Sequence, residues 1–377
     1  QAARLADWAE RTCPDPRDAA VALAMQRSRF PYRVVVAGSD VAQLVAGLRG
    51  VGAASAVAVA GVPRTVMVFP GQGWQRAGLG AELLASSPVF AASIDECGAA
   101  LAPWVDFDLR AVLCGDGWLG RVEVVQPVLW AVMVSLARVW ESVGVVPDAV
   151  VGHSQGEIAA AVVAGALSLA DGAKVVAVRA RALRELAGSG GMASVGASVE
   201  LVSRWLVDGL SIAAVNGPAS VVVSGPAELL RDWVAGLAVQ TRVLDVDYAS
   251  HGPMVERVEA GLRERLADVR PRSAVLGWFS TVFGRWLDGV EADGGYWYTN
   301  LREPVRFAPV VEALVAEGYS AFVEVSGHPV LTVGISDVVP VVTGTLRRDE
   351  SERVQVLAAA GVLHCAGVDV DWAKLLG

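Results

Sequence analysis

The stretch Val151-Gly-His-Ser-Gln-Gly-Glu sets Ser154 in a Gly-x-Ser-x-Gly frame, between an apolar run at 148–152 and a helix-like run, Ile158-Ala-Ala-Ala-Val-Val-Ala-Gly. This is the pattern of a nucleophile elbow, in which a strained strand-to-helix turn leaves a serine hydroxyl exposed. Gly152 and Gly156 suit such a reversal because it brings backbones too close for a β-carbon. The expected chemistry is acyl transfer or hydrolysis through an acyl-serine.

A serine needs a base, and histidine is the usual one because its pKa lies near working pH. Four histidines are present. His153 adjoins the serine, but neighbouring side chains on a strand diverge, so it is assigned to packing. His364 falls in a terminal helix beside Cys365 and is assigned a structural role. His328, in Val325-Ser-Gly-His-Pro at a strand end, is the alternative base. His251, in Tyr248-Ala-Ser-His-Gly, follows the last strand of a smaller unit where the chain returns to the main sheet. Such a return point forms the wall of an interdomain cleft, and His251 is the preferred base.

Asp245 and Asp247 are the carboxylates that a triad order would allow, but they crowd the same strand end. A Ser-His dyad with the imidazole held by a backbone carbonyl is therefore the simpler expectation. The loop Phe69-Pro-Gly-Gln-Gly is read either as an ordinary turn or as one presenting an N–H toward the elbow. In the second reading it joins the N–H of Gln155 in a two-donor oxyanion hole. Arg179 follows the apolar run Val175-Val-Ala-Val on a predicted helix, Ala173 to Leu186. If it faces inward rather than into solvent, its guanidinium calls for a carboxylate, which would suit an acidic acyl group.

The elements that must position these residues alternate. A strand at Val66 to Phe69, a Gly-rich turn, a long apolar helix at Val128 to Val143 and the elbow strand and helix predict a parallel α/β sheet, α/β-hydrolase-like in its elbow. Between Gly191 and Asp247 the units shorten to strand 192–195, helix 200–207, strand 211–215, strand 220–224, helix 227–237 and strand 242–246. That βαββαβ order predicts an inserted ferredoxin-like subdomain at 191–247. The larger unit then spans 64–190 and 248–345, resuming with a strand at 275–280, an aromatic loop at Tyr296-Trp-Tyr, a helix at 308–317 and a strand at 321–325. Residues 1–63 read as helix 18–27, strand 32–37, helix 40–48 and the small-residue stretch Val51 to Gly61. Residues 349–377 read as a helix plus a tail.

The 377 residues are 54% hydrophobic, enough for a large core. A net charge of -9 without a basic run argues against nucleic acid, and an acidic substrate would need a local cation. The apolar runs at 51–62 and 158–170 fall short of the roughly 18 residues of a membrane span. Four cysteines without metal or redox spacing, and no secretory pattern at the start, fit a reducing, cytoplasmic setting; no metal site or cofactor is expected. Lysine occurs only at 174 and 374. A chain starting at Gln1 inside an apparent helix is expected to be a piece of a longer polypeptide with flanking domains.

Together, Gly71-Gln-Gly, Gly152-His-Ser-Gln-Gly, Arg179, Tyr248-Ala-Ser-His and Tyr296-Trp-Tyr-Thr-Asn-Leu-Arg-Glu-Pro-Val-Arg-Phe resemble the acyltransferase domain of modular type I polyketide synthases, related to malonyl-CoA:acyl carrier protein transacylases. The resemblance covers nearly the whole chain. It implies that residues 1–63 are part of a ketosynthase-to-acyltransferase linker domain and 346–377 a post-acyltransferase linker. It further implies that Ser154 attacks an acyl-CoA, His251 takes and returns the proton, and the N–H groups of Gln72 and Gln155 hold the oxyanion. The thiol of a phosphopantetheine on an acyl carrier protein would then receive the acyl group. Arg179 matches the arginine that pairs with the free carboxylate of a dicarboxylic acyl unit, which speaks against a loading domain for monocarboxylic starters. Tyr248-Ala-Ser-His resembles the methylmalonyl-specific signature, malonyl-specific domains usually carrying His-Ala-Phe-His. Ser250 would leave room for an α-methyl, worth about 1 to 3 kcal/mol of discrimination. Gln155 and Arg121-Val-Glu-Val-Val-Gln-Pro point to the same methylmalonyl-CoA substrate. Gly327, where proline or alanine is more usual, and Trp130, where phenylalanine is common, depart mildly. The competing readings are a broad-specificity or starter-unit transferase, an α/β-hydrolase-type thioesterase and a non-catalytic docking module.

Overall fold

Two almost wholly apolar strands, Arg64–Phe69 and Ala149–Gly152, lie side by side in the middle of a sheet. Strands covered on both faces need no polar alternation, so continuous Val and Met suit a buried parallel sheet. The computed structural model describes residues 1–28, 30–52, 57–58 and 61–377. In it the main sheet runs, edge to edge, Arg285–Trp286, Gly277–Ser280, Ala149–Gly152, Arg64–Phe69, Tyr319–Glu324, Val341–Gly344. The last five are mutually parallel, and the two-residue edge strand is antiparallel to its neighbour, which makes the expected parallel sheet a mixed one. The loops after Phe69 and Gly152 leave from the carboxyl ends of adjacent strands, where open α/β sheets form their crevices.

The helix Val122–Ser142 packs beneath this sheet with buried side chains around its circumference. It begins two turns earlier than its apolar run suggests and carries Pro127 inside it. Proline forfeits one intrahelical hydrogen bond there, a loss the surrounding apolar packing offsets. By length and composition it is the one helix among the described residues that could cross a membrane, but its apolar surface is spent on the core.

The ferredoxin-like unit comprises strand Gly190–Val195, helix Val199–Trp205, strands Ser211–Gly217 and Ser220–Pro226, helix Ala227–Ala235 and strand Thr241–Val243. Its antiparallel order, 211–217, 220–226, 190–195, 241–243, places the first and third strands at the centre. It has a core of its own, including Val195, Val202, Val221, Val223 and Leu230. A main-chain exchange with the large unit, Val215 N to Val305 O at 2.9 Å and Val305 N to Ala213 O at 2.9 Å, ties the two together.

Three local expectations change. The aromatic segment read as a loop is a helix, Gly294–Arg302, started by the Asp293 side chain accepting from Tyr296 N. Its Asp-Gly-Gly opening looks like a turn in sequence and is in fact a cap. The strand expected at 32–37 shrinks to Tyr32–Arg33. The C-terminal tail contains a second helix, Trp372–Leu376, after Glu352–Ala366. Within the stretch Val51 to Gly61, residues 53–56 and 59–60 lie outside the described residues. The helix Glu352–Ala366 is pinned by the buried Glu352 carboxylate, which accepts from Gly80 N at 2.7 Å, Leu83 N at 3.2 Å and Arg76 at 2.7 Å.

Candidate active site

At the elbow Ser154 has φ 54°, a left-handed conformation unusual for a residue with a β-carbon and a common mark of functional strain. The two glycines permit the turn in different ways. A β-carbon on Gly152 would collide with the Glu157 backbone, and one on Gly156 with the Phe69 carbonyl, so neither position accepts a side chain without moving the strand or helix.

Ser154 Oγ lies 2.8 Å from His251 Nε2. The other ring nitrogen, Nδ1, lies 2.9 Å from the carbonyl oxygen of Glu303. A carbonyl only accepts, so Nδ1 carries the proton and Nε2 is left as the acceptor for the serine O–H. Burial, with the nearby Arg179 charge adding to it, pushes the His251 pKa down to about 3, so the imidazole stands neutral and ready as a base. His251 too has a positive φ, 58°. Asp245 and Asp247 are exposed, and neither bonds the imidazole.

Arg179 faces inward and is 1% exposed. Its Nη1 donates to Gln126 Oε1 at 2.8 Å and its Nη2 to Ser154 Oγ at 2.9 Å, while Nε is buried without a partner. Burial lowers its pKa to about 10, which still leaves it a cation at neutral pH. No carboxylate among the described residues forms an ion pair with it. A buried unpaired charge is costly, typically several kcal/mol, so the guanidinium is available to pair with an anion.

Gln72 and Gln155 sit on the loops that follow the two central strands, and among the described residues neither backbone N–H donates to a protein acceptor. The loops touch through His153 N to Phe69 O at 2.8 Å. The Gln72 side chain is fixed by Tyr248 Oη, which donates to its Oε1 at 2.9 Å, and by Gln126 Nε2 at 3.2 Å. Burial pushes the Tyr248 phenol up to about 12, so it remains a donor. Ser250 Oγ is buried and meets Met192 Sδ at 3.3 Å. Gln155 is 1% exposed, its side-chain amide without a partner.

The remaining histidines lie elsewhere. His153 Nε2 lies 2.8 Å from Asn216 Oδ1 of the small unit, with its ring 5.7 Å from Phe307, so it joins the two units as well as packing. His328 Nδ1 accepts from Arg348 N at 3.1 Å, and His364 Nδ1 from Trp372 Nε1 at 3.4 Å. At Gly327 a β-carbon would press on the end of the Leu79 side chain and crowd Trp74, so in this chain packing favours glycine over proline or alanine.

Sequence reasoning missed three polar residues that the structure brings here. Gln126 links Arg179 to Gln72; its motif was visible, but the expected helix began at Val128, past it, and so did not aim it inward. Glu157 is fully buried behind the elbow and accepts from Thr281 N, Thr281 Oγ1, Tyr296 Oη and Asn300 Nδ2. Burial pushes its pKa up to about 7 against those four donors. Asn300 also reaches the Ser154 carbonyl; it stood in the motif that begins at Tyr296 but was given no role there.

Residues 66–370 match the family described as acyl transferase domain. Polyketide synthase GfsE of Streptomyces halstedii is 50% identical over 376 residues, covering 95% of this chain and 10% of that protein. The chain thus spans between a twentieth and a quarter of the length of the curated relatives it matches. The acyltransferase domain from module 8 of the salinomycin polyketide synthase superposes with a TM-score of 0.90 at 47% identity, covering 99% of this chain and 94% of that one. The acyltransferase domain of SpnD, in complex with 2-(pent-4-yn-1-yl)malonyl, superposes with a TM-score of 0.90 at 30% identity, covering 98% and 93%.

Proposed function

This chain belongs to the acyl transferase domains of modular polyketide synthases, and from that membership we propose that it loads a dicarboxylic extender unit, methylmalonyl, from CoA onto the phosphopantetheine thiol of an acyl carrier protein. The observation that carries the reading is Arg179, a buried cation with no ion pair among the described residues, 2.9 Å from the serine oxygen.

In the first half-reaction Ser154 Oγ attacks the thioester carbonyl as its proton passes to His251 Nε2, and the N–H groups of Gln72 and Gln155 receive the developing oxyanion. The C–S bond breaks, and the CoA thiolate leaves with the proton from His251. In the second, a pantetheine thiol gives its proton to His251, its sulfur attacks the acyl-serine, and Ser154 is restored. Arg179 holds the free carboxylate throughout, which orients the acyl group and disfavours monocarboxylic acids. Ser250 gives the α-methyl its space, and Tyr248 and Gln155 complete the wall. No cofactor takes part in this scheme. The neighbouring ketosynthase and linker domains are the expected partners in the same polypeptide, residues 1–63 and 346–377 serving as linker. The neighbour bound to a substituted malonyl group supports the dicarboxylic class.

A competition among methylmalonyl-, malonyl-, ethylmalonyl- and propionyl-CoA, read as the mass of acyl-Ser154 and of acylated carrier protein, tests this. Methylmalonyl should dominate and Ser154→Ala should take no label. Equal labelling by propionyl-CoA would reject the carboxylate clamp, and hydrolysis unaffected by a carrier protein would favour a thioesterase.

A further inference from the structure

Both members of the dyad are held by the end of one helix. Asn300, on Gly294–Arg302, donates through Nδ2 to the carbonyl oxygen of Ser154 at 3.2 Å and to Glu157 Oε2 at 3.3 Å. The next residue, Leu301, accepts from His251 N at 2.8 Å, and Glu303 O faces His251 Nδ1 at 2.9 Å. Three positions within one turn, 300, 301 and 303, thus grip the nucleophile on one side and the base on the other. None of these bonds comes from the inserted subdomain.

That helix is itself immobilised. Trp297 Nε1 donates to Ala292 O at 2.8 Å, Trp297 stacks on Trp278 with centroids 6.2 Å apart, and Tyr296 Oη bonds both Ser280 and Glu157. Asn300 is 1% exposed and occupies its Nδ2 wholly on the elbow. Ser154 and His251 both sit at positive φ, a conformation that persists only where the surroundings over-determine it.

We propose that Asn300 is a positioning residue for acyl transfer: by clamping the Ser154 carbonyl to the helix whose end orients His251, it sets the separation of nucleophile and base. The proposal rests on the Ser154–His251 assignment above but not on the identity of the acyl group.

The test uses phenylmethylsulfonyl fluoride, which needs only a competent serine: Oγ bonds to sulfur, fluoride leaves and the serine proton passes to His251. Loss of sulfonylation in Ser154→Ala and His251→Ala establishes the dyad separately, and wild-type protein that reacts as slowly as both would sink that assignment rather than this one. With the dyad established, Asn300→Ala is expected to lower the sulfonylation rate and the kcat of transfer by about 100-fold, with KM little changed, the scale of a misplacement near 1 Å. Asn300→Asp removes the donor at constant shape and should be equally slow at pH 8, but recover relative to wild type at pH 5, where a protonated acid again donates to the Ser154 carbonyl. Rates within about twofold of wild type for either variant at pH 8, a loss confined to KM, or no relative recovery of Asn300→Asp at low pH would each overturn the proposal.

Discussion

Arg179 Nη2 and Ser154 Oγ share a hydrogen bond of 2.9 Å, so the cation that awaits a carboxylate also touches the nucleophile. The serine oxygen accepts from the guanidinium while its own proton points to His251 Nε2, 2.8 Å away. In the proposed reaction an arriving carboxylate would take over part of that guanidinium, coupling recognition of the acid to release of the serine.

Arg179→Ala should lose about 1.5 to 3 kcal/mol of preference for methylmalonyl-CoA over propionyl-CoA, the scale of one charged hydrogen bond. Arg179→Lys should not restore it, because an ammonium lacks the fork that reaches Gln126 and a carboxylate together. The ratio of kcat/KM for the two thioesters is the measurement.

His251 should remain neutral well below the ordinary histidine pKa, so acylation should show no histidine inflection near pH 6.5. The sign for stability follows. Because the folded pKa is depressed to about 3, the unfolded chain binds the extra proton between about 3 and 6.5, and stability present above 6.5 is lost as pH falls through that window. The loss should approach about 1.4 kcal/mol per pH unit, and His251→Gln should abolish this part of it. Urea unfolding at pH 5, 6 and 7 reads both slopes.

Tyr248→Phe removes the phenol that holds Gln72 Oε1. It should slow transfer of malonyl and methylmalonyl alike by roughly 3- to 10-fold, since it loosens the loop bearing an oxyanion donor. Ser250→Phe should instead discriminate, raising malonyl over methylmalonyl by about 1 to 3 kcal/mol. Kinetics of both variants with both thioesters separate the effects.

Glu352→Ala leaves two backbone N–H groups and Arg76 without their buried acceptor. It should cost about 3 to 5 kcal/mol of stability by urea denaturation, the usual penalty for breaking a buried charge pair. Acylation should weaken as well, because Gly80 and Arg76 end the segment that begins with Gln72.

Much of the candidate site was legible because the residues brought together there include rare types in tight spacings. An elbow glycine is demanded by local backbone contact, so Gly152 and Gly156 announced Ser154; few histidines compete for the role of base, so His251 stood out. Glu157, Gln126 and Asn300 were silent for the opposite reason. Each is a common polar residue within a helix, and nothing local distinguishes a side chain turned toward a buried network from one turned toward water.

By itself, then, the sequence determined the periodicities that make an α/β unit with a ferredoxin-like insert, and the strained turn that presents the serine. These follow from interactions within a few residues: alternation, apolar runs, and glycines where no β-carbon fits. Only the tertiary structure decided that Arg179 is buried without an ion pair among the described residues, that a carbonyl from Glu303 rather than an aspartate orients His251, and that positions 300, 301 and 303 hold both Ser154 and His251. Those relationships join residues from 25 to 146 positions apart, and they exist only once burial has removed the water that would otherwise satisfy each polar group alone.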